Sequence, residues 1–115
     1  MTQLDPIQRD ILVEGLEDYV GLWEVARLVR EAVRRPGEDA VRQAAIERLR
    51  PLLEGGYMEA GDLTPDGGFA AWSSQGKGAV DQIDKRWRRL GRDPSISEIC
   101  WLNNTGRGNA LARGQ

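Results

Sequence analysis

Residues Val41–Thr64 read VRQAAIERLRPLLEGGYMEAGDLT. Val41, Ala45, Leu49, Leu52 and Leu53 recur at steps of three and four, the spacing of one helical face. Gly55-Gly56 stops that helix. Tyr57–Leu63 then reads as a short strand, and Thr64-Pro65-Asp66-Gly67-Gly68 as a turn. A helix halted by glycine and succeeded at once by a strand divides the chain. The segment before it is scaffold for the helix, and the segment after it is built on the strand.

Upstream, Asp5 suits an N-cap and Pro6 the first helical position. Ile7, Ile11, Leu12 and Leu16 share one face of a first helix, predicted to end near Glu17 or Asp18. Tyr19-Val20-Gly21 suits a brief extended segment. Leu22, Val25, Ala26, Val29, Ala32 and Val33 mark a second helix, with Arg27, Arg30 and Arg34 on another face and Pro36-Gly37 as its stop. Glu38 and Asp39 put negative charge in the first turn of the third helix, where its dipole favours it. Pro51 removes a hydrogen bond to the Glu47 carbonyl, so a kink or break is predicted at Glu47–Pro51.

Downstream, Phe69–Trp72 suits an extended segment and residues 73–78 a polar loop. A fourth helix is predicted over about Ala79–Leu90, with Val80, Ile83, Trp87 and Leu90 as its apolar edge. Gly91 suits its C′ position, and Pro94 prevents continuation. Ser95-x-x-Glu98 fits a capping box and so a short helix, whereas Ile99–Leu102 is a continuous apolar run that suits a buried strand. The return strand is placed at about Cys100–Asn103, and a last helical turn from Asn104-Thr105 to Leu111.

This order resembles the winged helix-turn-helix superfamily. Leu52-Leu53-Glu54-Gly55-Gly56-Tyr57-Met58-Glu59 is similar to the exit from the recognition helix, and Trp101–Gly108 (WLNNTGRG) resembles the segment that closes many bacterial wings. Thr105 and Gly108 match the second pattern; Asn104 replaces the usual Leu, and Asn109 stands where Arg is common. More narrowly, YVGLWEV (19–25) and EICW (98–101) resemble segments of small bacterial proteins of this build. The resemblance implies a mainly α fold with a small antiparallel β wing (α+β), in one domain. Residues 1–54 would form a three-helix core, 55–104 an enlarged wing with an inserted helix at about 79–90, and 105–115 a short helical turn and tail.

The resemblance also implies a DNA-binding bacterial regulator. The exposed side of the third helix would enter the major groove, with Arg42, Gln43 and Arg50 as readers and Arg48 near the backbone. Lys77, Lys85, Arg86, Arg88, Arg89, Arg92 and Arg107 would grip phosphates from the wing. Carboxylates at the start of the third helix oppose this, since that end usually approaches the DNA. The alternative is a winged-helix module that binds a protein partner and no DNA. Homodimerisation is a further expectation, through the first helix and the C-terminal turn.

Composition sets the remaining bounds. The chain has 115 residues, 40% hydrophobic and 30% charged, with a net charge of −2. The charge is sorted along it. Residues 1–20 carry five acids and one base, and 55–84 five acids and one Lys; residues 85–115 carry seven bases and two acids. Cys100 is the sole cysteine, so no disulfide forms within the chain, and its apolar neighbours predict a small buried hydrophobe. No apolar run reaches the roughly 18–20 residues of a membrane span, and the N-terminus carries no secretory pattern, so no membrane and a cytoplasmic location are expected.

With no histidine, imidazole catalysis and His-ligated zinc are excluded. Asp62-x-Thr64-x-Asp66-Gly67 partly matches a calcium loop, but Pro65 interrupts it and Ser73 stands where the bidentate Glu belongs. Gly76-Lys77-Gly78 and Gly106-Arg107-Gly108 are too short for a phosphate loop. No cofactor and no enzymatic activity are expected. Trp87 and Trp101 are predicted core residues, Trp23 and Trp72 partly exposed ones, with Trp72 pinning the wing to the body.

Overall fold

A computed structural model describes residues 3–33 and 37–114. The Asp5 side chain accepts from Gln8 N, and the Gln8 side chain accepts from Asp5 N, a reciprocal cap that opens helix α1 (Pro6–Glu14). Gln8 Nε2 also donates to Arg48 O at 3.1 Å, which ties α1 to the third helix. α1 ends one turn earlier than the apolar spacing suggested, at Gly15. A Cβ there would meet the Asn104 side chain at 2.2 Å, so the small residue admits the last strand's amide.

Strand β1 (Val20–Gly21) leads directly into α2 (Leu22–Ala32). Arg34 and Pro36, predicted for the basic face and the stop of α2, lie outside the described residues. Helix α3 spans Glu38–Glu54 without interruption, so the break considered at Pro51 does not occur. Pro51 and Glu47 are both exposed, so the hydrogen bond that proline removes is lost on the solvent side of the helix, where its loss costs least. The exit from α3 is a Schellman motif. Tyr57 N donates to Leu52 O, Gly56 N donates to Leu53 O, and Gly56 takes φ 75°.

Three more strands complete the sheet, β2 (Met58–Leu63), β3 (Phe69–Ala71) and β4 (Trp101–Asn104), with helix α4 (Lys77–Leu90) between the last two and α5 (Gly106–Ala112) at the end. The sheet is antiparallel in the order β1-β4-β2-β3. The fold is therefore α+β, with five helices and four strands among the described residues. Where β3 ends, Gln75 continues its role. Its amide donates to Ala60 O at 2.7 Å and accepts from Ala60 N at 2.9 Å, as a neighbouring strand would.

One core unites these elements. Ile11 and Leu12 from α1, Val25 and Val29 from α2, Leu49 and Leu52 from α3, Ile83 and Trp87 from α4, and Met58 and Leu102 from the sheet are all buried. Cys100 is buried with them, and burial pushes its thiol pKa up, as expected of an inert packing residue. Asn104 Nδ2 donates to Leu12 O at 2.8 Å, so a buried polar group locks β4 to α1.

Two local expectations are corrected. Ser95–Glu98 is a turn and not a helix: Glu98 N donates to Ser95 O, and the Glu98 carboxylate accepts from both Ser95 N and Ser95 Oγ. Trp101 is only half-buried rather than core. The strand begins at Trp101 and not Cys100, and its pleat turns Leu102 and Asn104 inward, leaving Trp101 and Asn103 on the opposite face.

Candidate nucleic-acid interface

α3 and α4 pack side by side and leave an open groove of about 360 Å³, lined by Arg42, Gln43, Ile46, Glu47, Arg50, Asp84 and Arg88. The groove brings all three predicted reading residues of α3 to one place and adds Arg88 from the wing set. Their states differ. Gln43 is exposed and Arg50 half-exposed, but Arg42 is 8% exposed, so its assignment to the exposed side of the helix is corrected.

Arg42 fills a structural role. Its Nη1 donates to Asp84 Oδ1 at 2.5 Å, and its Nη2 lies 3.3 Å from Asp39 Oδ1. Burial alone would lower the Arg42 pKa. Hydrogen bonds to Asp84 and then Asp39, with their Coulombic attraction, raise it overall, so the side chain stays charged. Asp84 also receives Arg88 Nη2 at 3.1 Å on its second oxygen. One carboxylate of α4 thus holds an arginine from each helix.

The outward stripe of α3 is Gln43, Glu47, Arg50 and Glu54, at i, i+4, i+7 and i+11. It carries two carboxylates against one cation, and Arg50 Nη1 pairs with Glu54 Oε2 at 3.1 Å. Arg48 turns away to α1, with its Nε 3.2 Å from Asp5 Oδ2 in an ion pair and its Nη1 donating to Ala44 O.

α4 has the opposite balance. Val80, Ile83 and Trp87 face the core, leaving Lys77, Asp81, Lys85, Arg88 and Arg89 exposed. Lys77, Lys85 and Arg89 make no ion pair among the described residues. The other predicted wing cations have different settings. The Arg86 guanidinium lies over Trp72, 4.8 Å from the ring centre, while Trp72 Nε1 donates to Asp62 Oδ2 at 3.0 Å. Trp72 thereby links β2 and α4, the pinning role its surroundings suggested. Arg92 pairs bidentately with Glu98 at 2.7 and 2.8 Å. Arg107 belongs to α5 and lies over Tyr57, 4.7 Å from its ring centre.

The clamp of Arg92 on Glu98 braces a strained turn. Ser97 and Ile99 take φ 69° and 70°, unusual for non-glycine residues and more so for a β-branched one. Arg86 reaches the Ile99 carbonyl at 3.5 Å from the other side. Sequence reading missed these partners because each bond joins residues that only the fold brings together.

The calcium-like stretch closes on itself. Thr64 Oγ1 bonds Asp66 Oδ1, and Gly68 N donates to Thr64 Oγ1 at 2.9 Å, which gives a plain turn. Among the described residues no group of three or more carboxylate or thiol side chains is placed to hold a metal ion. No described helix is long and apolar enough to cross a membrane. No protein-family model, curated protein or solved structure gives a significant match to the chain.

Proposed function

We propose that this chain is a winged helix-turn-helix protein that holds duplex DNA mainly by its phosphates, with α4 of an enlarged wing as the principal grip. Two features support the fold reading. The β1-β4-β2 part of the sheet has the strand order of a three-stranded winged-helix sheet, with β3 and α4 inserted between its last two strands. The two segments that carry the resemblance also meet. Thr105 N donates to Tyr57 O at 3.0 Å, and Thr105 Oγ1 donates to Gly56 O at 2.6 Å.

The observation that carries the functional reading is the gathering of Gln43, Arg50 and Arg88 along one groove, beside the exposed Lys85 and Arg89. Such a surface supplies phosphate affinity with little base reading, because lysine and arginine on phosphate fix position and not sequence. Titrating a labelled duplex at low and moderate salt tests it. The expected result is binding at low salt that weakens steeply as salt rises and differs little between sequences. Absence of binding at low salt overturns the reading.

A second reading, a winged-helix protein-interaction module without DNA, is favoured by one observation. Arg42, Arg50 and Arg88 are each already paired with a carboxylate. The same titration decides between the two.

A further inference from the structure

The face of the sheet turned away from the buried Met58, Ala60 and Leu102 carries Glu59, Gly61, Trp101 and Asn103. One row across it is Gly21 in β1, Trp101 in β4 and Gly61 in β2. A glycine on either side of a tryptophan leaves bare backbone that neighbouring groups approach closely. A Cβ at Gly21 would meet Trp23 Cδ1 at 2.5 Å, and one at Gly61 would meet first the Ala70 carbonyl oxygen at 2.3 Å and then Phe69 Cζ at 2.7 Å. Tyr19 then stacks on Phe69 with centroids 5.2 Å apart and planes 23° from parallel. Trp23, Trp101, Phe69 and Tyr19 therefore form a strip across the sheet, each only partly buried.

The strip runs into an acidic hollow. Tyr19 and Asn103 also line a pocket of about 320 Å³ whose rim carries Glu17 and Asp18, both exposed. Asn103 Nδ2 donates to Glu59 Oε1 at 3.3 Å, placing a third carboxylate beside the strip. At its other end Arg27 covers the Trp23 ring, 5.6 Å from the centroid, which shows that the strip accepts a guanidinium on its faces.

We propose that this face docks an extended, arginine-bearing segment of a partner protein. Prolines or small apolar residues would lie along the rings, and an arginine would sit at the hollow between the carboxylates and Tyr19. The commitment to arginine follows from charge and shape. Carboxylates take a guanidinium by paired hydrogen bonds, and aromatic faces stack on its plane. Partly exposed rings over a rigid sheet lose little side-chain freedom on binding, as anchors of protein interfaces do. The same carboxylates repel phosphates, so nucleic acid does not fit here. This surface is separate from α4 and stands whether or not α4 binds DNA.

The test uses the full chain labelled with ¹⁵N and a blocked peptide, Ac-PPRPPR-NH₂, with Ac-PPQPPQ-NH₂ as its uncharged counterpart. The expected result is amide shifts concentrated at residues 17–23, 59–61 and 101–103, with a Kd on the order of 1 mM or tighter. The glutamine peptide should bind about tenfold more weakly, since it lacks the charge-assisted bonds. E17Q/D18N, which alters only exposed side chains, should reduce arginine-peptide binding to the level of the glutamine peptide. Tyr19→Ala should weaken both peptides. No shifts at millimolar arginine peptide, equal binding of the two peptides, or shifts centred on α4 would each overturn the proposal. So would the same face responding to duplex DNA.

Discussion

α3 and α4 are two amphipathic helices that share a groove, yet they divide the chain's charge in opposite ways. The outward stripe of α3, the helix expected to read DNA, holds Glu47 and Glu54 against Arg50. The outward face of α4, the inserted helix, holds Lys77, Lys85, Arg88 and Arg89 against Asp81. The helix expected to read DNA is mildly acidic and the helix that packs beside it is basic. A position in a fold does not by itself make a helix a reader; the charges left free on its surface decide what it can approach.

The largest expected effect tests whether Arg42 belongs to structure or to recognition. Arg42→Ala should lower stability by about 2 kcal/mol, below the 3–5 kcal/mol of a fully buried pair because Asp84 keeps Arg88 and some water. Gln43→Ala, one residue along and exposed, should stay within about 0.5 kcal/mol. Urea unfolding midpoints compare them. If both variants are equally mild, Arg42 is not committed to Asp84 and α3 regains a reading cation.

Next in size is the contrast in binding. Lys85→Ala/Arg89→Ala should reduce low-salt duplex affinity about tenfold and flatten the log–log salt slope by about two phosphate contacts. Gln43→Ala/Arg50→Ala should cost less than about threefold, because Arg50 is already shared with Glu54. The reverse ranking, read by fluorescence anisotropy, would return the recognition role to α3. A smaller effect goes the other way. Glu47→Gln/Glu54→Gln should raise affinity about twofold by removing like-charge repulsion at the groove.

Much of this architecture could be read from local pattern. The Asp5-Pro6 start, the apolar stripes of α2 and α3, the brief β1 and the Gly91 cap at φ 74° are all set by residues within a few positions of one another. The site was less legible, because its decisive partners are far apart in sequence. Arg42 and Asp84 are separated by 42 positions, so nothing near Arg42 marks it as spent. Trp101 failed for a different reason. The continuous apolar run Ile99–Leu102 suits a strand buried on both faces, but this sheet buries Cys100 and Leu102 on one face and leaves Trp101 half-buried on the other. Ser95-x-x-Glu98 satisfied the pattern of a capping box with the bonds of a turn. The Arg92 clamp, set by the end of α4, selected the turn.

The finest test of the contrast lies at that clamp, where one basic residue beyond the C-terminus of α4 is neutralised. The Arg92 hydrogen bond first, then the side chain and backbone of Ser95, pull the Glu98 pKa down from 4.5 to about 2. A depressed carboxylate contributes stability that is complete above its unfolded value and is lost as pH falls through its folded value. The turn at 95–99 should therefore hold at pH 4.5 and open progressively toward pH 2. A ¹³C titration of the Glu98 carboxyl should give a midpoint well below 4.5; a midpoint at 4.5 would mean that Arg92 is free. Glu98→Gln releases Arg92 at neutral pH and adds one cation beside α4, so duplex affinity should rise about twofold with a slightly steeper salt slope. A loss of affinity in that variant would show that the braced turn, and not the charge of α4, governs the approach.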